Sequence, residues 1–514
     1  MTLPGWLTGL PDAERMRATD RWAIEERGVP SLDLMERAGE GLARVVGEVA
    51  PRGPVAVVCG KGNNGGDGYV AARHLREAGR EVRVLALAGV EELRGDARVN
   101  AERLPGAPPA PFAAAALEGA EVAVDAILGT GFAGAPRGGA LEAIEALNGA
   151  RARVVAADVP SGVDASTGAV EGAAVRAVAT ATFAAAKPGL WINPGKRHAG
   201  RVRVVDIGIP PGAPAPAADV GLIDDAVLEL LPSREPGWTK FTSGHVLVAG
   251  GSRGLTGAPT MAAEAAQRAG AGYVTVCVPG SLQDVFAQRL LEVMSIGLPD
   301  AAGAHLPAGV ERVLQAAARG GSLVLGPGIG RSDGAFGFAR ELAERAEVGL
   351  VLDADGLNAH AGRLEALTGR SAPTILTPHA GELGRLLGID SDAVEARRLE
   401  HVREAARRSQ AIVVLKGDDT LVAEPGGTVA VSPGATAGLA TAGTGDVLSG
   451  IAAAVLARAV EPFAAACIAV RLHALAGIRA ARRHGVDSVI ARDVIAALPE
   501  VRRRAGPGSD ARGR

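Results

Sequence analysis

The chain has 514 residues, of which 47% are hydrophobic and 22% charged, with a formal net charge of −3. At about 100–200 residues per domain this length exceeds one hydrophobic core, and the composition excludes a largely disordered chain. The charge balance offers no footprint for nucleic acid or an anionic membrane surface.

Cys59, Cys277 and Cys467 are odd in number, far apart and set in apolar runs, which reads as buried thiols in a reducing compartment. The amino-terminal stretch lacks a basic segment followed by an apolar core. No run approaches the roughly 18–20 apolar residues that span a bilayer. A cytoplasmic protein without membrane or nucleic-acid partners is therefore expected, and residues 506–514 read as a disordered tail.

In chain order, Trp22–Arg27 and Ser31–Val49 are expected to be helical, the second with Ser31 as N-cap and an apolar face of Leu34, Met35, Ala38, Leu42, Val45 and Val46. A buried strand, VAVVCG, runs into GKGNNGGDG at Gly60–Gly68, and a helix resumes after it. Gly60, Gly62 and Gly65 satisfy a dinucleotide-binding pattern, although the acidic residue that a dehydrogenase places about 20 positions on is poorly matched. Asn63, Asn64 and Asp67 are polar beyond the needs of a packing turn and suit a sugar hydroxyl or a hard cation. Further strands end at Asp125 and, in VVAADVPSGVD, at Asp158 and Ser161. Asn64, Asp125 and Ser161 thus fall at strand carboxyl ends, where open α/β sheets bind ligands; either they form an oxygen-only site for a monovalent cation or Asp125 and Ser161 cap neighbouring helices. Lys187 follows an apolar strand and either snorkels to solvent or works beside Asp158.

After RVRVVDIGIP the stretch PPGAPAPAADVG reads as a linker, which puts the domain boundary near Asp219: residues 1–218, then 219–505. From Gly244 a second α/β series begins. Polar and glycine-rich segments recur at its strand ends: GPGIG from Gly326, DADGLN from Asp353, TPHAGEL from Thr377 and KGDDT from Lys416. A hairpin, TLVAEPGGTVAV, leads into TAGTGDVLSG at 441–450. There Val447, Leu448, Ile451, Ala452, Val455 and Leu456 recur at helical spacing, so Gly443 and Gly445 sit at a helix amino end that favours anions. Asp446 is placed either to accept a proton from a hydroxyl attacking phosphorus or merely to stabilise the first turn. No Walker A sequence, catalytic-triad order or Cys/His metal spacing occurs.

Taken together, CGKGNNGGDGYVAARHL, DAILGTGFAG and DVPSGVD resemble the NAD(P)H-hydrate epimerase domain. GHVLVAGGS, TGAP, GPGIG, LDADGLN, LTPHAGEL, LKGDDT and AGTGDVLSG resemble the ADP/ATP-dependent NAD(P)H-hydrate dehydratase domain. Their order resembles the bacterial bifunctional repair family over nearly the whole chain. The resemblance implies a Rossmann-like three-layer αβα sandwich followed by a ribokinase-like α/β domain. It implies epimerisation of R and S hydrates in the first domain and ADP-driven dehydration of the S form in the second, giving AMP and phosphate; ATP is the other donor. The substrates would be NADHX and NADPHX, the cofactors Mg2+ and K+, and the assembly a homo-oligomer.

By the same resemblance Asn63, Asn64, Gly65, Gly66, Asp67, Gly129, Thr130, Gly131, Phe132, Ala133, Gly134, Ala135 and Asp158 would hold the hydrate in the first domain. Asn64, Asp125 and Ser161 would bind potassium, and Lys187 would share acid/base work with Asp158. In the second domain Ala258, Gly328, Gly330, His379 and Asp446 would contact the hydrate, with Asp446 catalytic, while Lys416, Gly417, Asp418, Asp419, Thr420 and Gly445 would contact ADP. His379 taken alone reads more readily as a hydrogen-bonded surface residue than as a ligand. Ala442 departs from the family, which commonly has glycine there. The competing expectation is a ribokinase-like small-molecule kinase fused to a non-catalytic Rossmann-like binding module.

Overall fold

The computed structural model describes residues 3–213 and 218–505. Part of the expected linker, 214–217, and the expected disordered tail, 506–514, lie outside the described residues. The chain divides into two compact units: Gly9–Val220 form the first, and Pro4–Thr8 join the residues from Gly221 onward in the second.

The first unit is built on a seven-stranded sheet in the order Ala110–Pro111, Val82–Ala86, Val55–Cys59, Val122–Ala126, Arg153–Ala157, Ala179–Phe183, Arg201–Val205. Every neighbouring pair is parallel. Val55–Cys59 and Val122–Ala126 are buried at every position, as the apolar runs require of strands covered on both faces. The strand order reverses between these two, and their outgoing loops diverge into the crevice that ligands use in such sheets. The helix Ser31–Val49 buries the expected face on this sheet, but Pro30 is its N-cap and Ser31 its first helical residue, without a side-chain cap bond. The expected helix at Trp22–Arg27 is the widened, π-type end of the helix Ala13–Arg21.

The second unit carries an eleven-stranded sheet. The strands from Met294–Leu298 through Tyr273–Pro279, His245–Ala249, Ser322–Leu325, Gly349–Leu352 and Thr374–Leu376 to Ile412–Leu415 run parallel. The hairpin Leu421–Ala423 and Val429–Val431 then adds antiparallel strands. Beyond them lie Val220–Ile223 and, at the edge, Leu7–Gly9. In the second unit Asp224 N donates to Trp6 O (3.0 Å) and Trp6 packs on Phe463 at 5.8 Å, so the first residues of the chain complete the later domain's core. Nothing in the local sequence pattern announces that crossover.

One helix bears on the expected lack of a membrane-spanning run. Helix Pro462–His484 has 23 residues and is long and apolar enough to cross a membrane by length and composition. Interspersed alanines carry its hydropathy rather than one unbroken apolar run. With 72% of its apolar window buried in the unit, it is a core helix.

Candidate active sites

In the first unit the glycine turn after Val55–Cys59 leads into the helix Asn63–Glu77. The third glycine has a steric reason: a Cβ on Gly65 would stand 2.0 Å from Gly60 O. Asn64 Nδ2 donates to Leu128 O (3.0 Å), which leaves Oδ1 buried without a partner. Beneath it, Ser161 N donates to Asp125 Oδ2 (2.8 Å), Ser161 Oγ lies 2.5 Å from Asp125 Oδ1, and Leu128 N donates to Ser161 Oγ (2.9 Å). Asp125 is fully buried. Desolvation raises its pKa to about 6 against the hydrogen bonds from Ser161 and Ile127.

Above this cluster opens a cavity of about 770 Å³, lined by Asn63, Asn64, Asp67, Gly129, Thr130, Gly131, Phe132, Asp158 and Lys187. Gly65, Gly66, Ala133, Gly134 and Ala135 are not among its lining residues, and Asp20, missed in the sequence, is. Asp158 sits at φ 61°, a conformation that non-glycine residues seldom adopt, and accepts from Lys187 Nζ (2.5 Å), from Thr130 and from Phe183 N (3.2 Å). Lys187 is 1% exposed, so the snorkelling alternative fails. Burial would raise the Asp158 pKa, but Lys187 and the hydrogen bonds from Lys187, Thr130 and Phe183 hold it below the ordinary value.

In the second unit Gly443, at φ 91°, caps the helix Thr444–Leu456 and places Asp446 in its first turn. Lys416 Nζ donates to Asp353 Oδ1 (3.0 Å) and lies 3.6 Å from Glu382 Oε2, while Ser449 Oγ donates to Asp353 Oδ2 (2.6 Å). Burial raises the pKa of Asp446 to about 7, with Asp353 and Glu382 adding to the rise and Lys416 opposing it. A Cβ on Gly445 would lie 3.5 Å from Lys416 Nζ, so ammonium and helix terminus serve the same space.

A cavity of about 280 Å³ next to that terminus is lined by the polar Lys416, Asp418, Thr420, Ser432, Thr436, Thr444 and His473, by Gly417 and Gly445, and by the apolar Leu439, Leu448, Val470 and Ala474. Asp419 does not line it: fully buried, it accepts from Arg398 Nε (3.0 Å) and holds the strand-end turn together.

Gly328 (φ 65°) lies against Leu255 O and Ala258, where a Cβ would come within 2.6 Å and 3.5 Å, and Gly330 N donates to Asp355 Oδ2 (3.2 Å). His379 Nδ1 accepts from Gly381 N (3.0 Å) as N-cap of Ala380–Leu387, which leaves the proton of a neutral ring on Nε2. Burial lowers its pKa, and Glu382 acts against that fall. Asp353, Glu382 and Ser449 were not anticipated in these roles. The signals were present, a carboxylate directly after GLVL and a glutamate three residues beyond His379, but only the fold brings them to one ammonium.

Residues 246–500 match the family model described as NAD(P)H-hydrate dehydratase, and residues 31–189 match that of the YjeF-related protein N-terminus. A bifunctional NAD(P)H-hydrate repair enzyme of Moorella thermoacetica is 42% identical over 96% of this chain and 96% of its own. One of Salinibacter ruber is 40% identical over 95% of each. Among solved structures, the ADP/ATP-dependent NAD(P)H-hydrate dehydratase of Bacillus subtilis, co-crystallised with ATP and Mg2+, aligns with 54% of this chain and 96% of its own at 27% identity and a TM-score of 0.48. With relatives this similar over nearly its whole length, the chain belongs to the family of bifunctional NAD(P)H-hydrate repair enzymes.

Proposed function

We propose that the second domain restores hydrated nicotinamide nucleotides by phosphorylating the hydroxyl on the ring carbon beside nitrogen and then expelling phosphate. Hydroxide leaves poorly and phosphate leaves well, so the site must first move a phosphoryl group. The observation that carries this reading is Asp446: a carboxylate at a helix amino end, with a pKa raised by burial to about 7, accepts a hydroxyl proton at neutral pH far better than an ordinary aspartate. The amides around Gly443–Gly445 and the Lys416 ammonium stabilise the transferring phosphoryl group. The polar lining of the neighbouring cavity takes the diphosphate of ADP and its apolar side chains the base. Asp418 is the carboxylate lining that cavity, which suits Mg2+ held by one carboxylate and the nucleotide's own phosphates; the ion would neutralise phosphate charge. Ala258, Gly328, Gly330 and His379 then face the hydrate.

The first domain, on this reading, interconverts the R and S hydrates so that an S-specific site clears both, with NADHX and NADPHX as substrates. The unpartnered, buried Asn64 Oδ1 together with Asp125 and Ser161 fits K+, an ion that accepts neutral oxygen ligands and would here offset the desolvated Asp125 charge. Three buried, unpaired thiols support an intracellular setting. The test is incubation of the protein with one epimer at a time and ADP. The S form should yield the dihydronicotinamide with AMP and phosphate, and the R form should follow at the rate of epimerisation. A stable phosphorylated product would favour the kinase alternative instead.

A further inference from the structure

Lys187 has no N–H left to offer a substrate. Its Nζ donates to Asp158 Oδ1 (2.5 Å), Thr182 Oγ1 (3.0 Å) and Phe183 O (2.8 Å), and an ammonium has three donors. Asp158 is equally committed, since Lys187, Thr130 and the Phe183 amide all donate to it. Moving a proton out of this pair would strand a buried charge. The pair supplies a fixed electrostatic floor to the cavity, and the proton carrier of an epimerase must be another group.

Three further carboxylates line the same cavity, Asp67, Asp96 and Asp20, and of these Asp67 and Asp20 interact electrostatically with the Lys187–Asp158 pair. Asp67 is buried within the helix after the glycine turn. Desolvation, with Asp158 and Asp20 adding to it and Lys187 opposing, drives its pKa well above the ordinary value, and Asp67 is the more buried of the two. Asp20 comes from the helix Ala13–Arg21, which widens into a π turn at Trp22–Glu26, a distortion that recurs at functional sites. It is only partly buried, and no hydrogen bond perturbs it: burial raises its pKa, Lys187 opposes the rise and Asp158 adds to it. It also lies upstream of residues 31–189, the part that matches the family model.

We propose that Asp20 is the catalytic residue that carries the proton in the first domain. This rests on reading that domain as an epimerase. The Asp20 carboxyl gives its proton to the hydroxyl on the ring carbon beside nitrogen. The C–O bond breaks with its electron pair on oxygen, water departs, and the nitrogen lone pair closes a C=N double bond. The resulting cation lies against the Asp158 carboxylate. Water then adds to either face of that carbon and returns a proton to Asp20, so nothing is oxidised or reduced.

The test uses the full-length Asp20→Asn protein with the R hydrate, and with the S hydrate plus ADP in parallel. Epimerisation should fall by roughly 10²-fold or more, in kcat with KM little changed. The decline of wild-type kcat as pH rises through the Asp20 titration should vanish, and Asp20→Glu should regain part of the rate. Dehydration of the S form by the same variant should match wild type, which controls for folding. Wild-type epimerisation and an intact pH limb in Asp20→Asn would overturn the assignment of Asp20 and leave the epimerase reading standing. Absence of epimerisation in the unmutated protein would overturn both.

Discussion

Lys416 Nζ stands 3.0 Å from Asp353 Oδ1, each just past the carboxyl end of a strand that flanks Thr374–Leu376, and that contact sets the charge balance around Asp446. Asp353 is 1% exposed and holds Ser449 with its other oxygen, so its negative charge is fixed in place. The groups acting on Asp446 are Asp353 and Glu382, which favour its proton, and Lys416, which disfavours it.

Dehydration should therefore rise with pH through about 7 as Asp446 ionises. Asp353→Asn should move this limb to lower pH by removing a like charge, and Lys416→Met should move it higher. Lys416→Met should also lower stability by about 3–5 kcal/mol, because Asp353 and Glu382 would remain buried and uncompensated. Rate profiles and denaturant melts of the two variants check the signs.

Asp446→Asn should cost dehydration roughly 10²–10⁴-fold while ADP still binds. Stability should move the other way. A carboxyl whose folded pKa lies above its unfolded value favours the native state while protonated, and that advantage is lost as pH rises from the unfolded value of 3.8 to about 7. The asparagine variant should thus melt above wild type at pH 8, with the gap narrowing below about pH 7 and closing only near pH 4, as followed by calorimetry.

K+ should raise the melting temperature of the first domain relative to the same concentration of a large organic cation, and should stimulate epimerisation. Asn64→Leu, which deletes the unpartnered Oδ1, should lose both responses and keep dehydration.

Gly65→Ala should unfold or severely weaken the first domain, since its methyl would sit 2.0 Å from a backbone oxygen that cannot rotate away. Gly443→Ala meets the tip of Met261 at 2.5 Å but also a positive φ of 91°, so it should fold at a cost of about 1–2 kcal/mol and lose dehydration selectively. Limited proteolysis separates the two outcomes.

The parallel strands, the glycine turns and the polar residues at strand ends were legible because each is a local pattern with a local cause. Asn64, Asp125 and Ser161 could be grouped from strand-end position alone, and they do converge. What stayed hidden depends on packing between distant segments. For Lys187 the sequence leaves open solvent or a place beside Asp158, and only the fold, which surrounds it with Asp158, Thr182 and Phe183, decides between them. Asp419 reads as a nucleotide ligand until Arg398 is found against it. Asp20 lies in a helix of ordinary amphipathic character, and the strand Leu7–Gly9 joins a sheet built more than 200 residues later. Neither placement has a signature in its own neighbourhood.

The most direct measurement is product analysis after wild-type protein meets an equal mixture of R and S hydrates with excess ADP. The account predicts complete recovery of the dihydronicotinamide absorbance, with one AMP and one phosphate for each hydrate consumed. A hydrate that ends as a stable phosphorylated compound, with no absorbance regained, would contradict it.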